Sequence, residues 1–475
     1  MVSKKIVLVA VIVMAIVVSV YFDQSFSKVE PENVLPEKKS PYIKEYSLPL
    51  GSAPNGLVVD KTGLVWVTAQ NATLYSIDPS SGQVEKYLIK SGTVPYANTG
   101  VNSTMVWAIV QDDIGNIWFS PLGTKTIWRF DPESHVFGTY KSETGAPFQI
   151  KSDKKGEVWF TTLSGNTIGV IKPQNGDYAI STFDTGYNTN PAGIFVQNDS
   201  VWTANVVSQN IFKYAISQKD NLARDVTIAQ KIPNDNSTLF ASPTDLLVDK
   251  NILWLTEHGT SFLTSYDLND GKITRYPTSQ NDFHTTTLPF WIRGTDNPQV
   301  LWFNEHQGNK IGRFDVSNKT LIEYSIPSLP KDGYLTYPLN ISQDPHDEKT
   351  LWFSEWNTDK VGVVDGNMPI PFDLNLNATQ IVLNHDKTSV VGLTITGNSH
   401  YSDALSLNAS SSITPTAELG NLTARFSSNA VNSSHGIVHV FLNGTGVAPG
   451  DYTVGISASD GFVTKTKFLD LRIMP

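Results

Sequence analysis

The stretch Trp302-Phe-Asn-Glu-His-Gln-Gly-Asn-Lys-Ile-Gly-Arg-Phe-Asp315, continued by Thr320-Leu-Ile-Glu-Tyr-Ser-Ile326, contains three short β-type runs joined by Gly/Asn turns. Its tryptophan belongs to a series before similar runs: Trp66, Trp118, Trp159, Trp202, Trp254, Trp302 and Trp352, spaced by 52, 41, 43, 52, 48 and 50 residues. A turn precedes each one, as in Asp60-Lys-Thr-Gly63, Asp112-Asp-Ile-Gly115 and Asp153-Lys-Lys-Gly156. Before each turn lies an apolar run that opens at Pro54, Pro147, Pro191, Pro243, Pro289 or Pro338; the second unit opens at Val106-Trp-Ala-Ile109 without proline. Four short strands recurring every ~40–50 residues are the signature of a β-propeller. A helical solenoid would show apolar residues at 3.6-residue spacing, and no unit does.

Outward from this unit the count closes. The seventh unit supplies three strands, Leu339 to Gln343, Leu351 to Glu355 and Lys360 to Asp365, and the pattern then stops. Its missing outer strand stands at the other end of the repeat, where Ile43-Lys-Glu-Tyr-Ser-Leu-Pro49 matches Leu321-Ile-Glu-Tyr-Ser-Ile-Pro327. The match predicts a seven-bladed propeller over 42–365 in which residues 43–49 complete the last blade and remove its open edge. Beyond Gly366-Asn-Met-Pro-Ile-Pro371 tryptophan vanishes, all 11 lying between Trp66 and Trp356. Alternating runs at 380–383, 389–395, 422–426, 436–442, 451–458 and 464–473 predict an immunoglobulin-like β-sandwich over 371–475. The fold class is all-β, preceded by one N-terminal transmembrane helix.

That helix is read from Ile6 to Phe22, a run of 17 apolar or small residues after the basic Met1 to Lys5. The run reaches the lower limit for a membrane span and exceeds the core of a cleaved signal peptide. Only Ser25-Phe26-Ser27 follows as a poor cleavage site. Residues 1–22 are therefore expected to be a signal anchor, with Lys4 and Lys5 cytoplasmic and 23–41 an extracellular linker. The bulk is expected outside the cell membrane, or secreted if the signal is cut. Eleven Asn-x-Ser/Thr sequons, including Asn102, Asn236, Asn340 and five after residue 370, suit a glycosylated exterior or arise from an Asn/Ser/Thr-rich chain. Over 475 residues, 35 Lys and Arg against 45 Asp and Glu give a net charge of −10, which argues against a nucleic-acid partner. The chain has no cysteine, which excludes disulfides, thiolate nucleophiles and cysteine metal sites.

The units from Trp302 to Arg313 and from Trp352-Phe-Ser-Glu-Trp-Asn-Thr-Asp-Lys-Val to Gly362 resemble the blade repeat of streptogramin (virginiamycin B) lyases. The resemblance spans 42–365 and implies a propeller. In that family it further implies a metal ion, usually Mg, and a histidine base that open a lactone by elimination. The family's histidines follow the blade-opening proline of the last blades. The matching residues here are Phe290 and Leu339, with Asn55, Trp107, Phe148, Ala192 and Thr244 in the other blades.

Propeller topology puts the blade-opening residues and those just after each Trp-x-x stretch at one rim. Three residues after each tryptophan the blades read Ala69, Pro121, Thr162, Asn205, Glu257, Glu305 and Glu355; the next positions read Gln70, Leu122, Leu163, Val206, His258, His306 and Trp356. Glu257, Glu305 and Glu355 are candidate ligands for one divalent metal, Mg or Ca, with His258 and His306 as candidate bases. Alternatively, these acids pair with Lys, Arg and backbone donors of their own blades. Trp107, Phe148, Phe290, Trp291 and Trp356 could stack on a small-molecule or glycan ligand, or simply pack neighbouring blades. Arg293 could hold an anionic group or offset the glutamates. Two functions follow: a surface-anchored binding or scaffold propeller spaced by its sandwich, or a metal-dependent carbon–oxygen lyase or lactonase using a relocated Glu/His set.

Overall fold

The computed structural model describes residues 39–475, apart from 71–72, 90–105, 107, 122–123, 154, 175, 187, 219–223, 235–238, 281–283, 296–297, 329–335, 385–386, 398–403 and 433–436. The expected anchor over 1–22, most of the 23–41 linker, Trp107, Asn102 and Asn236 lie outside the described residues. Among the described residues no helix is long and apolar enough to cross a membrane.

Seven antiparallel blades follow one another along the chain, and the first six run from an inner to an outer strand in sequence order. The first four blades cover 54–88, 108–141, 147–184 and 191–232. Blade 5 consists of Pro243–Asp249, Ile252–Glu257, Phe262–Asp267 and Ile273–Pro277; blade 6 of Pro289–Arg293, Val300–Glu305, Lys310–Asp315 and Thr320–Ser325. Blade 7 takes Pro338–Gln343, Thr350–Glu355 and Lys360–Asp365 from the end of the repeat and Ile43–Ser47 from its beginning, with Ile43 opposite Val364 and Ser47 opposite Lys360. Each inner strand touches the next, and Pro338–Gln343 returns to Pro54–Val59, so the ring is closed. The expected closure by the N-terminal strand is the one observed.

Local chemistry explains why the repeat folds this way. Asp60 accepts the N–H groups of Thr62 (2.8 Å) and Leu64 (3.0 Å) on one oxygen and the Trp66 indole (2.7 Å) on the other. Asp112 and Asp153 hold Trp118 (2.7 Å) and Trp159 (3.1 Å) in the same way. One carboxylate thus closes the turn and satisfies a buried indole N–H that would otherwise be costly. Second strands such as Val65–Ala69 are buried at every position because blades pack on both faces.

Residues 372–475 form two further sheets. One joins Phe372–Leu376, Thr388–Gly397, Ile437–Asn443 and Thr423–Phe426; the other joins Val463–Met474, Gly450–Ser459, Ala404–Ser411 and Ala430–Asn432, with Gln380–Asn384 parallel to Val463–Met474. Buried Leu393, Val440 and Leu442 of the first sheet and Val454, Ile456 and Leu471 of the second belong to one core. Phe372–Leu376, Ala404–Ser411 and Ala430–Asn432 are strands beyond the six runs expected.

The expected spacer is hydrogen-bonded into the propeller. Val463–Met474 pairs antiparallel with the outer strand of blade 6, from Thr320 opposite Lys467 to Tyr324 opposite Val463, so blade and sandwich share a nine-stranded sheet. Phe468 lies against Tyr276 and Phe314, with ring centroids 5.2 and 6.3 Å away, and the Ser261 N–H donates to the Pro415 carbonyl at 2.8 Å.

Candidate functional site at the propeller mouth

The mouth is built by a turn that repeats from blade to blade. The residue before the opening proline adopts a left-handed conformation in five blades: Ala53 (φ 44°), Asn190 (49°), Ser242 (52°), Leu288 (50°) and Tyr337 (48°). None is glycine, and apart from Asn190, whose side chain tolerates it, each conformation is held against its own backbone preference by its surroundings. The carbonyls of these residues accept the N–H groups of Gln70, Val206, His258, His306 and Trp356. This bond fixes where the second strand leaves the rim. Just inside it, each inner strand that begins at proline shifts register by a bulge, which re-aims the blade-opening side chains.

Of the residues expected here, the two histidines are brought together. His258 Nε2 lies 3.4 Å from His306 Nδ1, and the rings meet edge to face at 5.3 Å. Phe290 packs beneath both, with its ring 4.8 Å from His258 and 4.2 Å from His306. Burial drives His258 down to about 4; burial and then the neighbouring His258 hold His306 well below the usual imidazole value. Both rings are therefore neutral at pH 7. Among the described residues His306 Nε2 is buried without a well-formed hydrogen bond, although the Leu339 backbone acts on the ring.

The aromatic set continues inward. Phe290 meets Trp291 at 4.4 Å and Trp291 meets Phe148 at 6.1 Å; Trp291 donates its indole N–H to the Leu339 carbonyl at 2.8 Å. All three rings are buried, and Leu163 and Val206 pack on the same core. Trp356 stands apart on blade 7, half-buried, with its indole N–H 3.3 Å from Gln70 Oε1 and its ring against Tyr337 at 6.3 Å.

The three glutamates do not meet. Each turns into its own blade, toward the outer strand. Glu257 accepts Arg275 Nε (2.8 Å), the Thr264 hydroxyl (2.6 Å) and the Ala241 N–H (2.7 Å). Glu305 faces Glu323 and Lys310, and Glu355 faces Glu45 and Lys360. The shared metal site expected of Glu257, Glu305 and Glu355 is therefore corrected: successive residues of an extended chain point to opposite sides, and Glu257 and Glu305 point away from the histidines that follow them. Among the described residues no group of three or more His, Asp or Glu is placed to hold a metal ion.

Arg293 is likewise engaged, pairing with buried Asp245 at 2.7 Å and donating from Nε to the Ile341 carbonyl at 3.1 Å. It offers no free cation to an anionic ligand. Asp245 and Gln149 escaped the sequence reading. They occupy one position of the repeat, with Trp291 and Asn340, and an acid at an inner-strand position was the available signal.

No protein-family model matches the sequence, and no curated protein matches it. Solved structures match in fold. Virginiamycin B lyase from Staphylococcus aureus superposes with a TM-score of 0.53 at 23% identity, covering 68% of this chain and 98% of its own. Its catalytically inactive histidine-to-alanine variant, solved with quinupristin, gives 0.52, 23%, 68% and 98%. The WD40 repeats of RRP9 give 0.51 at 11% identity, covering 69% and 99%. The propeller resembles the streptogramin lyases. At such identities the likeness shows the fold alone. Where the lyase resemblance implies histidine, this chain places Phe290 under the imidazole pair and buries Leu339.

Proposed function

We propose that the propeller is a binding module whose mouth takes a small, largely apolar or aromatic ligand. The neutral His258–His306 pair above Phe290 carries this reading. It offers hydrogen bonding without net charge over the continuous aromatic set of Phe290, Trp291 and Phe148. Residues 1–22 would anchor the protein and 371–475, as an immunoglobulin-like module, would brace the propeller at an extracellular surface. The acids suggested as metal ligands turn into separate blades and do not converge, which favours binding over metal-assisted chemistry.

The second reading is lactone opening with His306 as base, favoured by its neutral ring, whose Nε2 has no well-formed hydrogen bond among the described residues. Quinupristin, the molecule found with the Staphylococcus aureus lyase variant, is a usable probe for both. Residues 39–475 are titrated with it by calorimetry, and the recovered probe is analysed by chromatography with tandem mass spectrometry. Saturable binding weakened at least tenfold by His306→Ala, with intact probe recovered, supports the binding module. Ring-opened probe, lost in the same variant, establishes the enzyme. Absence of both rejects a quinupristin-like ligand.

A further inference from the structure

The outer-strand position facing the glutamates differs between blades. In blade 5 it is Arg275, opposite Thr264; in blade 6 it is Glu323, opposite Gly312; in blade 7 it is Glu45, opposite Gly362. Blade 5 thus holds an ion pair where blades 6 and 7 each hold two carboxyls.

The two carboxyl pairs are built alike. Glu323 accepts the N–H and hydroxyl of Ser279, both at 2.8 Å, and lies 4.0 Å from Lys310 Nζ. Glu45 accepts the Ser328 N–H at 3.2 Å and Lys360 Nζ at 2.9 Å. Glu305, Glu323 and Glu355 are fully buried. Among the described residues neither oxygen of Glu305, nor Oε2 of Glu323, nor Oε1 of Glu355 has a well-formed N–H or O–H partner; Glu355 Oε2 accepts the Thr358 hydroxyl at 2.8 Å. The charged groups acting on Glu305 are Glu323 and Lys310, with the Thr287 hydroxyl also facing it; those acting on Glu355 are Glu45 and Lys360. One lysine therefore serves two acids in each blade, and acceptor oxygens face one another in a buried site. A proton turns one acceptor into a donor and removes the surplus charge.

We propose that each pair holds one shared proton and acts as a pH-sensitive latch, one on the ring-closing strand Ile43–Ser47 and the other on Thr320–Ser325, the strand that carries the sandwich. Burial first, and then the neighbouring acid, raise Glu305 and Glu355 well above the ordinary carboxyl value, while their lysines oppose this. With the folded value raised, the latch is intact at low pH and is lost as pH rises through that value. Blade 5 holds Arg275 in place of the second acid.

Hydrogen exchange of residues 39–475 between pH 6 and 10, corrected for intrinsic exchange rates, tests this. Protection of 43–47 and 320–325 is expected to fall at least tenfold more than that of 273–277. Glu355→Gln, a neutral analogue of the protonated acid, flattens the response of 43–47 and leaves 320–325 unchanged. Glu45→Gln reads the same latch from its other side if the first variant does not fold. A common pH course for all three strands in the wild type, or an unchanged response of 43–47 in a folded variant, overturns the proposal.

Discussion

Arg293 Nη1 lies 2.7 Å from Asp245 Oδ2, joining blade 6 to blade 5 inside the propeller. Asp245 also accepts Gln149 Nε2 from blade 3 at 2.9 Å and the N–H groups of Leu246 and Ile292 at 3.0 and 3.1 Å. Gln149 Oε1 accepts the Ile194 N–H from blade 4, and Arg293 reaches the Ile341 carbonyl of blade 7. Five blades are thereby tied through one buried carboxylate. Nearby Lys151 is brought down to about 8 by burial and then by Arg293.

Removing one partner strands the other in a dry site. Arg293→Ala is expected to lower stability by about 3–5 kcal/mol, the range for breaking a buried pair. Chemical denaturation reads it as a lowered midpoint. A loss below about 1 kcal/mol, typical of exposed pairs, would show that water reaches Asp245.

The imidazole pair predicts an acid response. His258 carries a folded value near 4 against an unfolded value of 6.5, so the unfolded chain binds more protons between those limits. Its contribution is intact above pH 6.5 and is lost as pH falls toward 4. Imidazole nitrogen shifts at pH 5.5 should report a neutral ring. His258→Gln should flatten the decline in melting temperature across that window; an equally steep decline in the variant would place the acid response elsewhere.

The propeller was legible because its determinants are local. The Asp60–Trp66 bond spans six residues, and the homology between 43–49 and 321–327 is visible in the letters. The mouth was legible to the level of the rim: His258 and His306 follow from blade alignment, and they do meet. The turn of Glu257, Glu305 and Glu355 into their blades was legible as the alternative reading, which Glu257 meets with Arg275 and the Ala241 N–H; the facing Glu323 and Glu45 were not, because they stand on the fourth strand of each blade. Nor was the docking of the sandwich, since pairing between Thr320–Ser325 and Val463–Met474 uses backbone groups that every residue carries.

Three blades place glycine under a phenylalanine of the second strand: Gly169 under Phe160, Gly312 under Phe303 and Gly362 under Phe353. A Cβ at these positions would lie 2.1, 2.3 and 2.1 Å from the ring. Gly362→Ala should therefore destabilise by about 1–3 kcal/mol through overpacking. Adding Phe353→Leu, which withdraws the ring, should make the double variant less destabilised than the sum of the single changes. Strict additivity in a double-mutant cycle would count against steric coupling.

The junction between propeller and sandwich yields the last prediction. Phe468 reaches Tyr276 of blade 5 and Phe314 of blade 6, while the backbone of its own strand continues blade 6. Lys467 Nζ adds a 2.6 Å bond to the Thr320 hydroxyl. Hydrogen-bonded continuity and shared aromatic packing couple the two parts far more tightly than a flexible linker would, so residues 39–475 should unfold in one calorimetric transition. Phe468→Ala removes the side-chain packing and leaves the strand pairing, at a cost of about 3 kcal/mol or somewhat less because the ring is only part-buried. The variant should split the transition into two, with the sandwich melting first. Two transitions already present in the wild type would mean that the shared sheet does not couple the domains.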